Sequence, residues 1–90
     1  MTKEKIQSVV QIYKTKLENL SVGKIHYPHN DILDTAEHGL EHCHGMLDEM
    51  EVFLQEGRVD KVFRWLVFIQ GILWSEKIYS LEDLKNHNRP

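Results

Sequence analysis

The stretch that decides the fold is LDTAEHGLEHCHGMLDEMEVFL, residues 33–54, because its apolar residues recur at helical spacing without a gap. The steps alternate between three and four residues, which is the pattern of a helix that packs along one seam. The seam positions are Leu33, Ala36, Leu40, Cys43, Leu47, Met50 and Leu54. Asn30 or Asp31 is a suitable N-cap, and Gly57 suits the left-handed residue that follows a helix. The stretch therefore predicts a helix over residues 31–56.

Helical spacing continues on both sides of this stretch. Upstream, apolar residues at similar steps predict a first helix that Thr2 caps. Downstream, VDKVFRWLVFIQGILW predicts a third helix, and the short link makes helices two and three a long antiparallel hairpin. Ser80 and Asp83 have the spacing of a capping box, which predicts a last helical turn. The predicted single all-α domain, residues 1–90, has helices at 3–20, 31–56 and 58–75, a loop at 21–30 and a turn at 81–86.

Composition excludes several classes of protein. The 90 residues are 41% apolar and 28% charged, which is typical of one small globular domain. The formal net charge of −3 provides no basic field for nucleic acid. No apolar run is long and uninterrupted enough to span a bilayer, and no signal peptide is visible. Cys43 is the single cysteine, so no disulfide forms within the chain and a reducing, cytoplasmic location is expected.

The histidine-rich segment EHGLEHCHGMLDEME, residues 37–51, raises the question of a metal site. His38 and His42 are four residues apart, and Glu41 with His44 forms the Glu-x-x-His pair that di-iron bundles use twice. Such bundles also need inward-facing carboxylates from other helices, and the third helix has none between Lys61 and Ser75, so a second chain would have to supply them. His38 and His42 fall outside the apolar seam. We therefore predict a solvent-exposed helix face and no metal or cofactor, with a metal-binding bundle as an alternative.

Catalytic signatures are absent from the sequence. It contains no glycine-rich phosphate loop and no nucleophile elbow, and one cysteine cannot form a zinc finger. Cys43 occupies a seam position, where cysteine behaves as a small apolar residue. The chain is predicted not to be an enzyme, with no catalytic residue.

The third helix is apolar on almost every side, and such a helix must be covered on every side. Its first stripe suits the hairpin seam. A second stripe, Trp65, Phe68 and Ile72, is predicted to be a homo-oligomer interface, because aromatic residues are enriched at interfaces. Coverage by the chain's own loop is the alternative. The predicted assembly is a homo-oligomeric helical bundle.

Groups suited to a small ligand concentrate around the first loop. Aromatic faces can stack on a base, and cationic side chains can hold phosphate. The candidate ligand-binding residues are Tyr13, Lys24, His26 and Tyr27. If the partner is instead a host protein, the acidic face formed by Glu41, Asp48 and Glu49 is the better candidate.

A resemblance adds to this interpretation. The runs HCHGMLDEMEVFLQEGRVDK, residues 42–61, and FRWLVFIQGILWSEKIYSLEDLKNHNRP, residues 63–90, resemble small proteins of tailed bacteriophages and prophages that have no assigned activity. The resemblance implies a location in the host cytoplasm. In architecture the chain is also similar to phage anti-CBASS sponges, which are helical homo-oligomers that sequester cyclic nucleotide signals of bacterial immunity. That similarity implies a non-enzymatic nucleotide binder, but the sponge hairpin motif is missing, so no binding residue carries over.

Overall fold

The computed structural model describes the backbone of residues 1–90 and every side chain except that of residue 36. Within this description the chain is all-helical, with four helices and no strand. The helices are α1 (Lys3–Asn19), α2 (Ala36–Gln55), α3 (Val59–Ser75) and α4 (Leu81–Asn88). α2 packs against both α1 and α3, and α4 packs against α1. Among the described helices, none combines the length and apolar character needed to cross a bilayer.

The core forms where the apolar stripes of α1, α2 and α3 meet. Removing these side chains from water is the main force that holds such a small bundle together. The completely buried apolar side chains of the three helices are Ile6, Val9, Val10, Tyr13, Leu17, Cys43, Leu47, Met50, Val62, Leu66, Ile69 and Leu73. The heptad seam predicted for α2 is confirmed from Cys43 to Leu54, Leu40 is half-buried, and the Ala36 side chain lies outside the described residues.

The start of α2 differs from the prediction. The helix begins at Ala36 rather than at residue 31, and its N-cap is Thr35, whose hydroxyl accepts the N–H of His38 (3.4 Å). The residues favoured as caps, Asn30 and Asp31, belong instead to a turn in which the N–H of Asp31 donates to the carbonyl of Pro28 (3.1 Å). The loop therefore extends to Thr35. This longer loop covers part of α2.

Three helices end with the same backbone arrangement, in which a left-handed residue reverses the chain. Gly57 does this after α2, as predicted, with φ of +79°. Ser21 and Lys77 take the same conformation after α1 and α3, with φ of 58° and 63°. The residue after each one donates its N–H back to the last turn, for example Val22 to the carbonyl of Leu17 (3.0 Å).

α4 is longer than the predicted turn because a polar network fixes its end. The capping box predicted for Ser80 is confirmed. At the other end, Gln70 and Asn88 exchange two amide hydrogen bonds, of 2.7 and 3.2 Å. The hydroxyl of Tyr13 accepts from Nε2 of Gln70 (2.9 Å) and lies 3.0 Å from Nδ1 of His87. This network joins α1, α3 and α4, and burial raises the pKa of Tyr13 to about 12.

Candidate functional site

A groove lies between the first loop and the helices α2 and α3. Its volume is about 430 Å³, which lies within the range of small-molecule sites. Aromatic and apolar side chains form most of the wall, with two histidines and one carboxylate among them. The lining residues are Tyr27, Pro28, His29, Asp31, Leu33, His42, Met46, Trp65 and Phe68.

Tyr27 fastens the loop to α2 through both its backbone and its side chain. Its N–H donates to Nδ1 of His42 (3.2 Å), and its hydroxyl donates to Oε1 of Glu41 (2.9 Å). Its ring centroid lies 5.3 Å from that of His38. The N–H of Ile25 donates to the backbone carbonyl of Glu41 (3.3 Å). These contacts hold one wall of the groove against the first half of α2.

The histidines of α2 do not form the predicted solvent-exposed face. His38 and His42 are half-buried beneath the loop, and His44 is only 2% exposed. Nδ1 of His44 donates to the carbonyl of Val22 (2.8 Å), because a carbonyl can only accept. All three histidines therefore contact the loop. The expectation was wrong because the helical pattern does not reveal that a connecting segment covers a polar face.

This placement also separates the residues of the metal alternative. Glu41 accepts the hydroxyl of Tyr27, while His44 is turned toward Val22, so the Glu-x-x-His pair does not face one point. In the part of the chain that the structure describes, no three histidine, cysteine, aspartate or glutamate side chains are grouped to hold an ion. Cys43 is fully buried, and burial raises the pKa of its thiol to about 12. A thiol in that state is a poor nucleophile.

The four candidate ligand-binding residues are not brought together. Tyr27 lines the groove, but Tyr13 is fully buried in the core and offers no face for a ligand to stack on. Lys24 lies outside the lining and pairs with Asp48 (3.1 Å). His26, also outside it, has Nδ1 3.4 Å from Oε1 of Glu49. Of the four, only Tyr27 is positioned for the ligand site that we describe.

The carboxylates of the acidic face that was proposed to bind a host protein have partners within the chain. Asp48 pairs with Lys14 (2.9 Å) as well as with Lys24. Burial would raise the pKa of Asp48, but the hydrogen bonds from the two lysines outweigh that effect and lower it. Glu41 accepts the hydroxyl of Tyr27, and Glu49 lies beside His26. Each of the three carboxylates therefore has a partner within the chain, and Asp48 is the one that is paired with lysines.

The stripe predicted as an oligomer interface lies on the groove side of α3. Trp65 and Phe68 line the groove, while Ile72 is half-buried against the core. Lys61, one turn before Trp65, has its Nζ 5.3 Å from the Trp65 ring centroid. Sequence reasoning missed the role of these residues, together with His29, Asp31 and His42. Their helical spacing marked Trp65, Phe68 and Ile72 as one stripe, but nothing local paired that stripe with the loop.

Comparison with known proteins yields no relative. No family model, curated protein or solved structure matches the chain significantly.

Proposed function

We propose that this chain is a non-enzymatic binding protein that holds a nucleotide in the groove between its first loop and α2–α3. The observation that supports the proposal most is the composition of the wall. Tyr27, Trp65 and Phe68 offer aromatic faces, and His29 and Asp31 add polar groups at the edge. Small-molecule sites commonly combine aromatic and apolar walls with a few polar groups, and exposed aromatic faces suit the stacking of a base.

The chemistry of the wall matches the parts of a nucleotide. A base stacks on tryptophan or phenylalanine with about 1–3 kcal/mol per base. Asp31 is an acceptor for ribose hydroxyls or for an exocyclic amine. Lys61 lies beside Trp65, and none of the salt bridges between described side chains involves it. Lys61 lines a neighbouring concavity rather than the groove itself, and we propose that it pairs with a phosphate held beside Trp65.

The phage resemblance suggests the setting of this binding. A phage accessory protein of this kind would sequester a linear or cyclic nucleotide signal that the bacterial host uses in its immunity. Sequestration needs tight binding and no chemistry, which agrees with a groove built from stacking surfaces. The host-protein alternative has less support, because Glu41, Asp48 and Glu49 already have partners within the chain.

Calorimetry of the purified protein with a panel of linear and cyclic nucleotides tests the proposal. The matched controls are a nucleoside, which lacks the phosphate, and ribose 5-phosphate, which lacks the base. We expect a nucleotide to bind more tightly than either control, because both the stacking surface and Lys61 are used. The absence of binding by every nucleotide up to about millimolar concentration would reject the function.

We also propose that the protein assembles as a homo-oligomer, through a different face of α3 from the one first predicted. Phe63, Val67 and Trp74 follow one line of the helix, and each is 44–53% exposed. Clusters of large exposed apolar side chains commonly mark interaction sites. Gly71 lies close to this line, and a Cβ there would meet nothing within 4 Å, so a neighbouring helix has room to approach.

Replacement of Val67 by glutamate should dissociate this assembly, because a carboxylate in the interface would lose its hydration. Light scattering at micromolar concentration should show a dimer or larger species for the wild type and a smaller mass for the variant. Gln11→Glu on α1 is the control, since it adds the same charge on another exposed surface. A wild-type monomer would contradict the assembly.

A further inference from the structure

The loop supplies more than half of the groove wall, so the position of the loop determines the shape of the site. Five of the nine lining residues belong to it. The loop is irregular and carries few apolar side chains of its own into the core, so its position depends on the contacts that fasten it to α2. A change in one of those contacts would change the groove directly.

One of these contacts depends on the protonation of a histidine. Nδ1 of His42 accepts the backbone N–H of Tyr27 (3.2 Å), which requires that Nδ1 carry no proton. In the imidazolium form both ring nitrogens carry protons and neither can accept. Protonation of His42 would therefore replace the hydrogen bond by two opposed N–H groups. The N–H of Tyr27 would also lose its partner in a half-buried position.

The titratable groups around His42 oppose its protonation more than they favour it. From the loop, His26 and His29 face it with ring centroids at 6.5 and 6.3 Å. From α2, Glu49 is an opposing negative charge, beside His26, and His38 lies one turn earlier. Asp31 of the loop is a further carboxylate in the wall that contains His42. The α3 residues that line the groove, Trp65 and Phe68, do not titrate.

These effects set the direction of the pH response. Burial first, and then His26 and His29, lower the pKa of His42 below its usual 6.5, against the opposing effect of Glu49. A group that binds protons more weakly in the closed form favours that form when it is neutral. The closed loop is therefore fully stabilised above about pH 6.5, and this stabilisation is lost as the pH falls from there through the lowered pKa.

We propose that His42 is a proton-sensitive latch of the groove: in its neutral form it holds the loop closed over the ligand, and on protonation it releases both. The second half of this statement rests on the proposed nucleotide function. The first half concerns the loop alone and can be tested without any ligand.

Hydrogen exchange of the Tyr27 amide, measured by NMR and expressed as a protection factor, reports on the latch directly. Between about pH 7.5 and about pH 5 we expect wild-type protection to fall about tenfold. His42→Asn keeps an acceptor near the position of Nδ1 but does not titrate, so its protection should not change with pH. The control His38→Asn should behave as the wild type, because His38 contacts the Tyr27 ring and not its N–H.

Two results would overturn the latch. One is constant wild-type protection across this range, and the other is a pH dependence that persists in His42→Asn, which would assign the effect to His26 or His29. If His42→Asn loses the protection of the Tyr27 amide at every pH, the NMR titration of the His42 ring in the wild type tests the latch instead. A His42 midpoint that coincides with the loss of Tyr27 protection supports the latch, and separate midpoints contradict it. The release of the ligand is then tested by the nucleotide affinity at about pH 7.5 and about pH 5. Weaker binding at the lower pH in the wild type but not in His42→Asn supports release, and unchanged wild-type affinity contradicts it.

Discussion

Replacement of Tyr13 by alanine is expected to lower the free energy of unfolding by about 4 kcal/mol, the cost typical of truncating a buried aromatic side chain. Tyr13 is completely buried and connects three helices, since its hydroxyl meets Gln70 of α3 and His87 of α4. Its ring also lies 5.6 Å from that of Tyr79, centroid to centroid. A loss of this size is a large fraction of the stability of so small a domain.

The variant Tyr13→Phe separates the hydroxyl from the ring. It should cost only about 1 kcal/mol, because Gln70 keeps its bonds to Asn88 and the half-buried His87 can reach water. Urea unfolding followed by circular dichroism measures both variants. Equal losses for alanine and phenylalanine would show that the network, rather than the packing of the ring, supplies the stability, contrary to our account.

Replacement of Trp65 by alanine is expected to weaken nucleotide binding by about 10- to 100-fold, which corresponds to the loss of one stacking surface. Trp74→Ala is the control, because it removes the other tryptophan of the same helix, and light scattering must record its mass because Trp74 lies on the proposed assembly face. Trp74 is 51% exposed and does not line the groove. Its removal should leave the affinity within about twofold of the wild type.

Calorimetry with the tightest nucleotide of the panel measures both tryptophan variants. Circular dichroism must accompany it, because Trp65 is half-buried and packs against Phe53 with ring centroids 5.2 Å apart. If Trp74→Ala weakens binding more than Trp65→Ala in folded proteins, the ligand binds on the other face of α3. The groove would then not be the site.

The helices were predictable from the sequence where a periodic apolar stripe meets a clear cap. The four buried apolar residues of α3 repeat at three- and four-residue steps, and Thr2 and Ser80 are good caps. The start of α2 was not predictable in this way, because four potential caps, Asn30, Asp31, Asp34 and Thr35, precede the same apolar pattern. A turn closed on Pro28 engages the first two, and the helix begins after Thr35.

The candidate site was less predictable, because it is made by contacts between residues far apart in the chain. Tyr27 was identified from the aromatic and polar composition of the loop. Trp65 was recognised as part of an apolar stripe, but an apolar stripe is equally suited to a core, an interface or a pocket. Tyr13 was assigned to the ligand although it lies in the core stripe, since its partners Gln70 and His87 are 57 and 74 residues away.

The most direct test of the central claim is the fluorescence of Trp65 in the variant Trp74→Phe, where it is the only tryptophan. If a nucleotide stacks in the groove, its addition should quench or shift the Trp65 emission and saturate at about one ligand per groove. The nucleoside and the ribose phosphate should do so only at higher concentrations. Nucleotide binding detected by calorimetry while the Trp65 emission stays constant would contradict the claim that this groove is the binding site.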